Sequence, residues 1–426
     1  MTLSFLNQQQ PKPRSLRNGL EWKRTSLREA GVRLIDCDHR TPPATSTGYP
    51  YVAIPQLKQG RIDLSDARRI SAEHFSEWTR KAKPQEHDVI LSRRCNPGET
   101  AHVPAGLNCA LGQNLVLLRS DGSKVYPPFL RWLVRSPKWW EQVNTFINVG
   151  AVFDSLKCAD IPNFRLPLPP LVEQKAIAAV LGTLDDKIEL NLRMNATLEA
   201  IARALFQSWF VDFDPVRAKL DGGEPANLDK PTATLFPASF QDSEFGHVPR
   251  DWKVKPLGQI VELAYGKPLK GEDRKRGPVR VYGSNGLVGW HDEKLVSGPG
   301  IVVGRKGNPG VVTWAHSDFF PIDTTFYVVP TGDCHSFYFL YYALSNQDLA
   351  NLSADSAVPG LNRNHAYMSK QVVPPSAVLS AFDSQVGPIF AAIEANDQQS
   401  RTLATVRDTL LPRLLSGELS ISKGRA

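Results

Sequence analysis

No two cysteines in this sequence are spaced as CxxC, and the five present, Cys37, Cys95, Cys109, Cys158 and Cys334, are odd in number and scattered. They read as reduced thiols of a cytoplasmic protein, with neither a disulfide framework nor a zinc site. The chain has no GxxxxGK[ST] loop, which excludes a recognisable nucleotide-hydrolysis site, and no GxGxxG after a strand, so no dinucleotide site is signalled. Its nine histidines form no HExxH or Cys/His cluster, which argues against a metal centre. Asn-Pro-Pro-aromatic and Asp-Pro-Pro-aromatic runs, which amino-methyl transfer to a flipped base would use, are missing, and the carboxylates form no catalytic constellation. No continuous apolar run approaches the roughly 18 residues needed to span a bilayer. The start, MTLSFLNQQQPKPRS, lacks the charged-then-apolar pattern of a secretion signal. These absences leave a soluble binding scaffold, and 426 residues allow two or three domains.

What is present is organised around residues 165–214. The pair Pro169-Pro170 can start a helix but not sit inside one, and Glu173 falls in the first turn, where a carboxylate suits the helix dipole. Behind it Ile177, Leu181, Leu184, Ile188, Asn191, Asn195, Leu198, Ala202, Leu205 and Trp209 recur at alternating spacings of four and three. That spacing puts a narrow seam on a long helix, the face of a coiled-coil partner, and the two Asn can fix its register. The same seam recurs as Phe382, Val386, Ile389, Ile393, Asn396, Ser400, Leu403, Arg407, Leu410 and Leu414, each 205 residues on. Two such helices in one chain are natural partners, and so long a period marks a duplicated domain-plus-helix unit. Pro388 inside the second seam predicts a kinked or shortened second helix.

The charge is unevenly placed. Residues 1–170 carry 24 Lys/Arg against 15 Asp/Glu, and residues 245–374 carry 14 against 11; residues 171–244 are acidic, with 7 against 12. Basic surplus on the globular blocks and not on the helices suggests that the blocks meet a polyanion and the helices meet protein. Short runs such as Tyr51 to Ile54, Val89 to Leu91 and Leu115 to Leu118 read as strands, and Ala72 to Lys83 and Pro128 to Phe146 as helices. The fold class is therefore mixed α/β (α+β). Its expected domains are 1–166, a helix at 167–213, a linker at 214–249, a second domain at 250–374 and a second helix at 375–426.

The second block echoes the first. Val89-Ile90-Leu91-Ser92-Arg93-Arg94-Cys95-Asn96-Pro97-Gly98 reappears as Ile301-Val302-Val303-Gly304-Arg305-Lys306-Gly307-Asn308-Pro309-Gly310. A strand ending in Arg93-Arg94 or Arg305-Lys306 delivers two cations to one rim, followed by Asn96 or Asn308 and a turn glycine. Such residues suit DNA phosphate or the O6 and N7 of guanine. The second block adds Lys267, Lys270, Arg274, Lys275, Arg276 and Arg280, a cluster suited to tracking phosphates; Arg40-Thr41 and Arg363-Asn364 are further loop candidates. For each cation the plainer alternative is a solvated turn.

Leu168-Pro169-Pro170-Leu171-x-Glu173-Gln174, Ala204-Leu205-Phe206-x-Ser208-Trp209-Phe210-Val211-Asp212-Phe213-Asp214-Pro215-Val216, Leu410-Leu411-Pro412-x-Leu414-Leu415-Ser416-Gly417 and the run Asp36 to Arg61 together resemble the specificity subunit of type I restriction-modification systems, over nearly the whole chain. The resemblance implies two similar target recognition domains separated by an antiparallel pair of coiled-coil helices, a pseudo-twofold repeat that reads an asymmetric, split double-stranded DNA site. It implies no catalysis and no cofactor on this chain. Two methyltransferase subunits would carry S-adenosylmethionine, and restriction subunits would use ATP and Mg. About 33 helical residues at about 1.5 Å each span about 50 Å, or about 15 base pairs, between two readers. The alternatives are a coiled-coil adaptor for protein or RNA, or a single-chain DNA-modifying enzyme. The second half has Pro374-Pro375-Ser376-Ala377-Val378 where the first has PPLVEQ, so partner contacts there are expected to differ.

Overall fold

The structure, a computed structural model, describes residues 22–150, 152–332, 334–352 and 360–421. The first 21 residues of the expected 1–166 domain and the last five of 375–426 lie outside them. The chain divides into two compact units, residues 1–188 with 401–426, and residues 189–400.

In the first unit the strands are β1 (Arg24–Ser26), β2 (Val32–Asp36), β3 (Tyr49–Val52), the short pair β4 (Leu57–Lys58) and β5 (Arg61–Ile62), β6 (Arg68–Ile70), β7 (Val89–Ser92), β8 (Thr100–His102), β9 (Ala110–Leu111), β10 (Leu115–Ser120) and β11 (Arg165–Pro167). They form a four-stranded sheet in the order β2-β10-β7-β8, a three-stranded sheet β6-β3-β9 and the pair β1-β11. Val89, Leu91, Val116 and Leu118 alternate onto one face of the larger sheet, and Ile90, Leu115 and Leu117 onto the other, so both faces are buried. Helix α1 (Ala72–Trp78) is capped by the Ser71 hydroxyl, which accepts from the His74 N–H. Where one helix was expected over Pro128 to Phe146 there are two, α2 (Pro127–Leu133) and α3 (Pro137–Phe146), because Pro137 cannot continue the first and Ser136 caps the second.

Helix α4 (Leu171–Phe210) starts in this unit directly after Pro169-Pro170. The Glu173 carboxylate accepts the Ile421 N–H at 3.1 Å. The Gln174 side chain accepts the Tyr126 N–H at 2.8 Å and donates to the Lys124 and Pro169 carbonyls, each at 2.8 Å. The PPLVEQ motif is thus a staple that ties the helix start to the first unit's mixed α/β fold. Ile177, Ala178 and Leu181 close the core against Leu411, Leu414 and Leu415 of α9 (Ser376–Leu415), whose residues from 401 belong to this unit.

The second unit begins with residues 189–210 of α4. The segment expected as a linker is folded. It holds α5 (Asp214–Leu220), α6 (Lys230–Thr234) and the hairpin of β12 (Phe240–Ser243) and β13 (Gly246–Pro249), and it puts Val216 and Phe236 into the core. Those side chains meet the aromatic run before them: Trp209 lies 5.1 Å from Phe236 and 5.8 Å from Phe382, and Phe210 lies 4.9 Å from Phe382. Each buried aromatic contributes about 1.5–3 kcal/mol, so this motif is a core element. The strands that follow are β14 (Lys253–Pro256), β15 (Val261–Tyr265), β16 (Val279–Gly283), β17 (Gly286–His291), β18 (Gly300–Gly304), β19 (Val312–Ala315), β20 (Phe319–Pro321), β21 (Thr325–Pro330) and β22 (Lys370–Val373), with α7 (Phe337–Asn346) and α8 (Arg363–Met368) before β22.

Their arrangement repeats the first unit: β15-β21-β18-β19, β17-β16-β20 and β14-β22. The repeat holds at the level of residue pairs. Val116 pairs with Asp36 and Leu115 with Ser92, as Phe326 pairs with Tyr265 and Thr325 with Gly304. In each three-stranded sheet one neighbour is antiparallel and the other parallel. One fold has been used twice.

Both seams are buried or half-buried along their length. Asn195 donates to the Asp397 carboxylate at 2.8 Å and accepts from Asn396 at 2.9 Å, while Asn191 donates to the Gln399 side chain at 2.9 Å and to the Ser400 hydroxyl at 3.2 Å. As one number rises its partner falls, so within each unit the helices run antiparallel, and the Asn set the register. Pro388 does not shorten α9, which equals α4 at 40 residues. Pro388 and Ser384 are both exposed, so water reaches the carbonyl that the missing N–H leaves free, and Val386, Phe390 and Ile393 stay packed. By length and composition α9 could cross a membrane, with a mean hydropathy of 1.3 over 18 residues. Of that window 33% is buried, the seam residues among it.

Candidate nucleic-acid interface

The two echoed loops are superposable in their hydrogen bonding. Arg93 and Arg305 follow the last residues of β7 and β18, and their N–H groups donate to the Asn114 and Thr324 carbonyls, both at 2.9 Å. Their carbonyls accept from Leu156 at 2.8 Å and Leu361 at 2.9 Å, while Arg94 bridges to Ser155 as Lys306 bridges to Gly360. Two residues in each loop take the left-handed conformation: Cys95 and Gly98 at φ 63° and 96°, Gly307 and Gly310 at 84° and 80°. Each loop therefore turns sharply and leaves Arg94 and Asn96, or Lys306 and Asn308, exposed at its rim. The spacing of the sequence motif is explained by this turn.

The first unit's remaining candidates are less free. Arg40 forks onto Asp38 at 2.9 and 3.0 Å, reaches Glu77 at 2.6 Å, and lies over the Trp78 ring. Two carboxylates offset its charge, so it braces its own loop. Thr41 is exposed beside a cleft of about 310 Å³ that Tyr51, Gln56, Arg68 and Gln113 also line. Arg93 is half-buried with a guanidinium N–H 3.4 Å from the Leu156 carbonyl.

In the second unit the cationic loop between β15 and β16 is partly tied down. Arg274 donates to the Val288 carbonyl at 2.6 Å, Lys270 lies 3.6 Å from Glu272, and Lys275 lies 4.0 Å from Asp292. Lys267 and Arg276 are exposed. Arg280 does not belong to this surface. It lies within β16, 5% exposed, and its guanidinium reaches both Glu394 oxygens at 2.9 Å. A basic run in sequence shows charge, not burial, and the strand's alternation turns this side chain inward. Arg305 and Arg363 come together at one exposed ring, that of Tyr265, with centroid distances of 5.1 and 5.0 Å. Asn364 is exposed at the start of α8, where the Asn362 side chain accepts its N–H.

Sequence reasoning missed what fixes the sheets of each unit to its helices. In the first unit Asp185 of α4 is buried and accepts from Arg407 at 2.6 Å and Arg61 at 3.2 Å, with Arg131 at 3.9 Å. Burial alone would raise its carboxyl; the Arg407 hydrogen bond and the surrounding arginines hold it below its ordinary value. Arg131 also donates to Nε2 of His102, whose Nδ1–H donates to the Gly60 carbonyl, both at 3.0 Å. Burial, and then the Arg131 charge, push His102 down to about 4, so the ring is neutral. Arg280 and Glu394 do the same work in the second unit. Arg407, the one charged residue of the second seam, was the available sign.

Among the described residues, two groups have metal-ligating atoms within 4.8 Å of one another, Asp36-Cys37-His39 and His316-Glu394-Asp397. The Cys37 thiol donates to the Gly112 carbonyl, and burial pushes it up to about 11. Glu394 is already held by Arg280.

Residues 38–200 match the model of the type I restriction modification DNA specificity domain. The chain is 27% identical over 379 residues to the type I restriction enzyme HindI specificity subunit of Haemophilus influenzae, covering 73% of this chain and 82% of that one. To the MjaIX specificity subunit of Methanocaldococcus jannaschii it is 25% identical over 360 residues, 79% of this chain and 78% of the other. Its fold is similar to that of the type I restriction-modification S subunit from M. genitalium, with a TM-score of 0.52 and 18% identity over 94% of this chain and 97% of that one.

Proposed function

We infer that this chain is a DNA specificity subunit of a type I restriction-modification system. It recognises DNA sequence and does no chemistry itself. The observation that carries the reading is the duplication: two units with the same strand order and pairing, each presenting a sharply turned cationic loop and each anchored to the antiparallel helix pair. Two readers with different side chains suit an asymmetric, bipartite site, and a helix pair in fixed register suits a constant spacing between its halves. The family resemblance implies the rest of this reading. The chain works on double-stranded DNA with methyltransferase subunits, two per complex, and through them with restriction subunits. S-adenosylmethionine, ATP and Mg belong to those partners, and the complex acts in the cytoplasm. Exposed Arg94, Asn96, Lys306, Asn308 and Asn364, with Lys267 and Arg276, are the side chains best placed to meet DNA.

Reconstitution tests this. The purified chain is expected to transfer no methyl groups from S-adenosylmethionine to DNA. The same chain bound to its methyltransferase partner is expected to methylate duplexes carrying one defined site and not scrambled ones. Transfer by the chain alone would make it a single-chain enzyme, and a stable complex that binds RNA or protein but no duplex would make it an adaptor.

A further inference from the structure

The first unit has Asp36 at the end of β2, and its carboxylate meets His39 at 3.1 Å. The strand pairing puts Tyr265 at the equivalent place in the second unit, half-exposed at the end of β15. A carboxylate at this rim repels DNA, whereas an aromatic ring can hold cations. Arg305 and Arg363 lie 5.1 and 5.0 Å from that ring, and among the described residues neither is ion-paired.

The surroundings fix all three. Arg305 donates to the Asp323 carbonyl at 2.6 Å and lies 5.9 Å from the Phe326 ring, which itself packs 5.0 Å from Tyr265. Arg363 lies 5.8 Å from the Tyr367 ring, and the Tyr367 hydroxyl accepts the Leu263 N–H at 2.8 Å, tying α8 back to β15. The Leu361 N–H donates to the Arg305 carbonyl at 2.9 Å, so the lead-in to α8 is stitched to the loop that carries Arg305. Both guanidiniums share the Tyr265 ring, at 5.1 and 5.0 Å from its centroid, with no carboxylate paired to either among the described residues. Arg305 has a backbone carbonyl as its acceptor, and among the described residues the cluster has no anionic partner. A flexible lysine suffices to contact a phosphate, whereas a fixed planar guanidinium matches the paired O6 and N7 acceptors of guanine.

Resting on the function above, we propose that Tyr265, Arg305 and Arg363 form one cation–π clamp that reads guanine in the half-site met by the second unit. Tyr265 is its positioning residue. The first unit, with Asp36 at the same place, reads its half-site by other means.

The test uses the full chain in complex with its methyltransferase partner. Methylated sites are mapped, and binding is measured to duplexes in which 7-deazaguanine, which lacks N7, replaces one guanine at a time. Tyr265→Phe keeps the ring and is expected to keep the motif. Tyr265→Leu is expected to relax one half of the motif at a guanine while leaving the other half intact, which also shows that the variant folds. Deaza substitution at that guanine is expected to weaken wild-type binding about tenfold and to cost the Tyr265→Leu complex nothing further. Arg363→Lys is expected to behave as Tyr265→Leu does. An unchanged motif in Tyr265→Leu overturns the clamp. So does uniform weakening on every duplex with a shallower salt dependence, which would make it a phosphate contact. A wild-type complex with no split motif would instead refute the functional reading itself, and the clamp with it.

Discussion

Replacing Asp185 with alanine is expected to destabilise the first unit by about 3–5 kcal/mol, the cost of removing one partner from a buried ion pair. Asp185 is 3% exposed and is the acceptor for Arg407 and Arg61, with Arg131 nearby. Without it these like charges face one another in a site from which water is largely excluded. Denaturant unfolding, with hydrogen exchange followed over residues 171–188 and 401–415, reads the loss. A change below about 1 kcal/mol, the usual worth of an exposed pair, would show that the cluster is not a structural centre.

The same cluster makes the unit sensitive to acid. His102 sits near 4 when folded, against an ordinary 6.5. The unfolded ring binds a proton below 6.5 while the folded ring does not, so stability is complete above 6.5 and is lost as the pH falls towards 4. That gap is equivalent to about 3 kcal/mol. Asp185 adds a second loss at lower pH: its contribution is whole above 3.8 and disappears as the pH falls through its depressed folded value. His102→Gln is expected to flatten the upper part of the profile and leave the lower part in place.

Arg280→Ala is the second large effect. It removes the two hydrogen bonds that Arg280 makes to Glu394, whose carboxylate also lies 3.8 Å from His316. The Glu394 side chain keeps 27% of its surface exposed, so the expected loss is about 2–3 kcal/mol, below that of a fully buried pair. The double variant Arg280→Met with Glu394→Leu is expected to recover most of the stability. A double variant no better than Arg280→Ala would mean that the pair is not the source of the effect.

The helix pair was legible in the sequence because a seam at four-three spacing depends on local periodicity, and a constant offset of 205 residues exposes its duplicate. The loop pair was legible because Asn-Pro-Gly after two cations encodes a turn that the backbone then adopts at Gly98 and Gly310. Burial of charge was not legible. Arg280 lies in a basic run, and only the pairing of β16 with its neighbours turns it from solvent to Glu394. Asp185 and Arg407 are 222 positions apart, and no local pattern links them. Tyr265 carries no motif either; its role follows from residues 40 and 98 positions further on. The segment 214–249 read as a linker because it is rich in Pro, Gly, Asp and Ala and has no period, yet Phe236 is held by tertiary packing on Trp209. Pro388 argued for a kinked or shortened helix, yet α9 runs 40 residues with Val386 and Phe390 buried.

The central claim is that one chain carries two DNA readers. Mapping methylated adenines across a genome, in cells that express this chain with its methyltransferase partner, tests it most directly. The account predicts a single new motif, split into two unlike halves separated by an invariant spacer. A continuous motif, or no new methylation despite a stable complex, would contradict it.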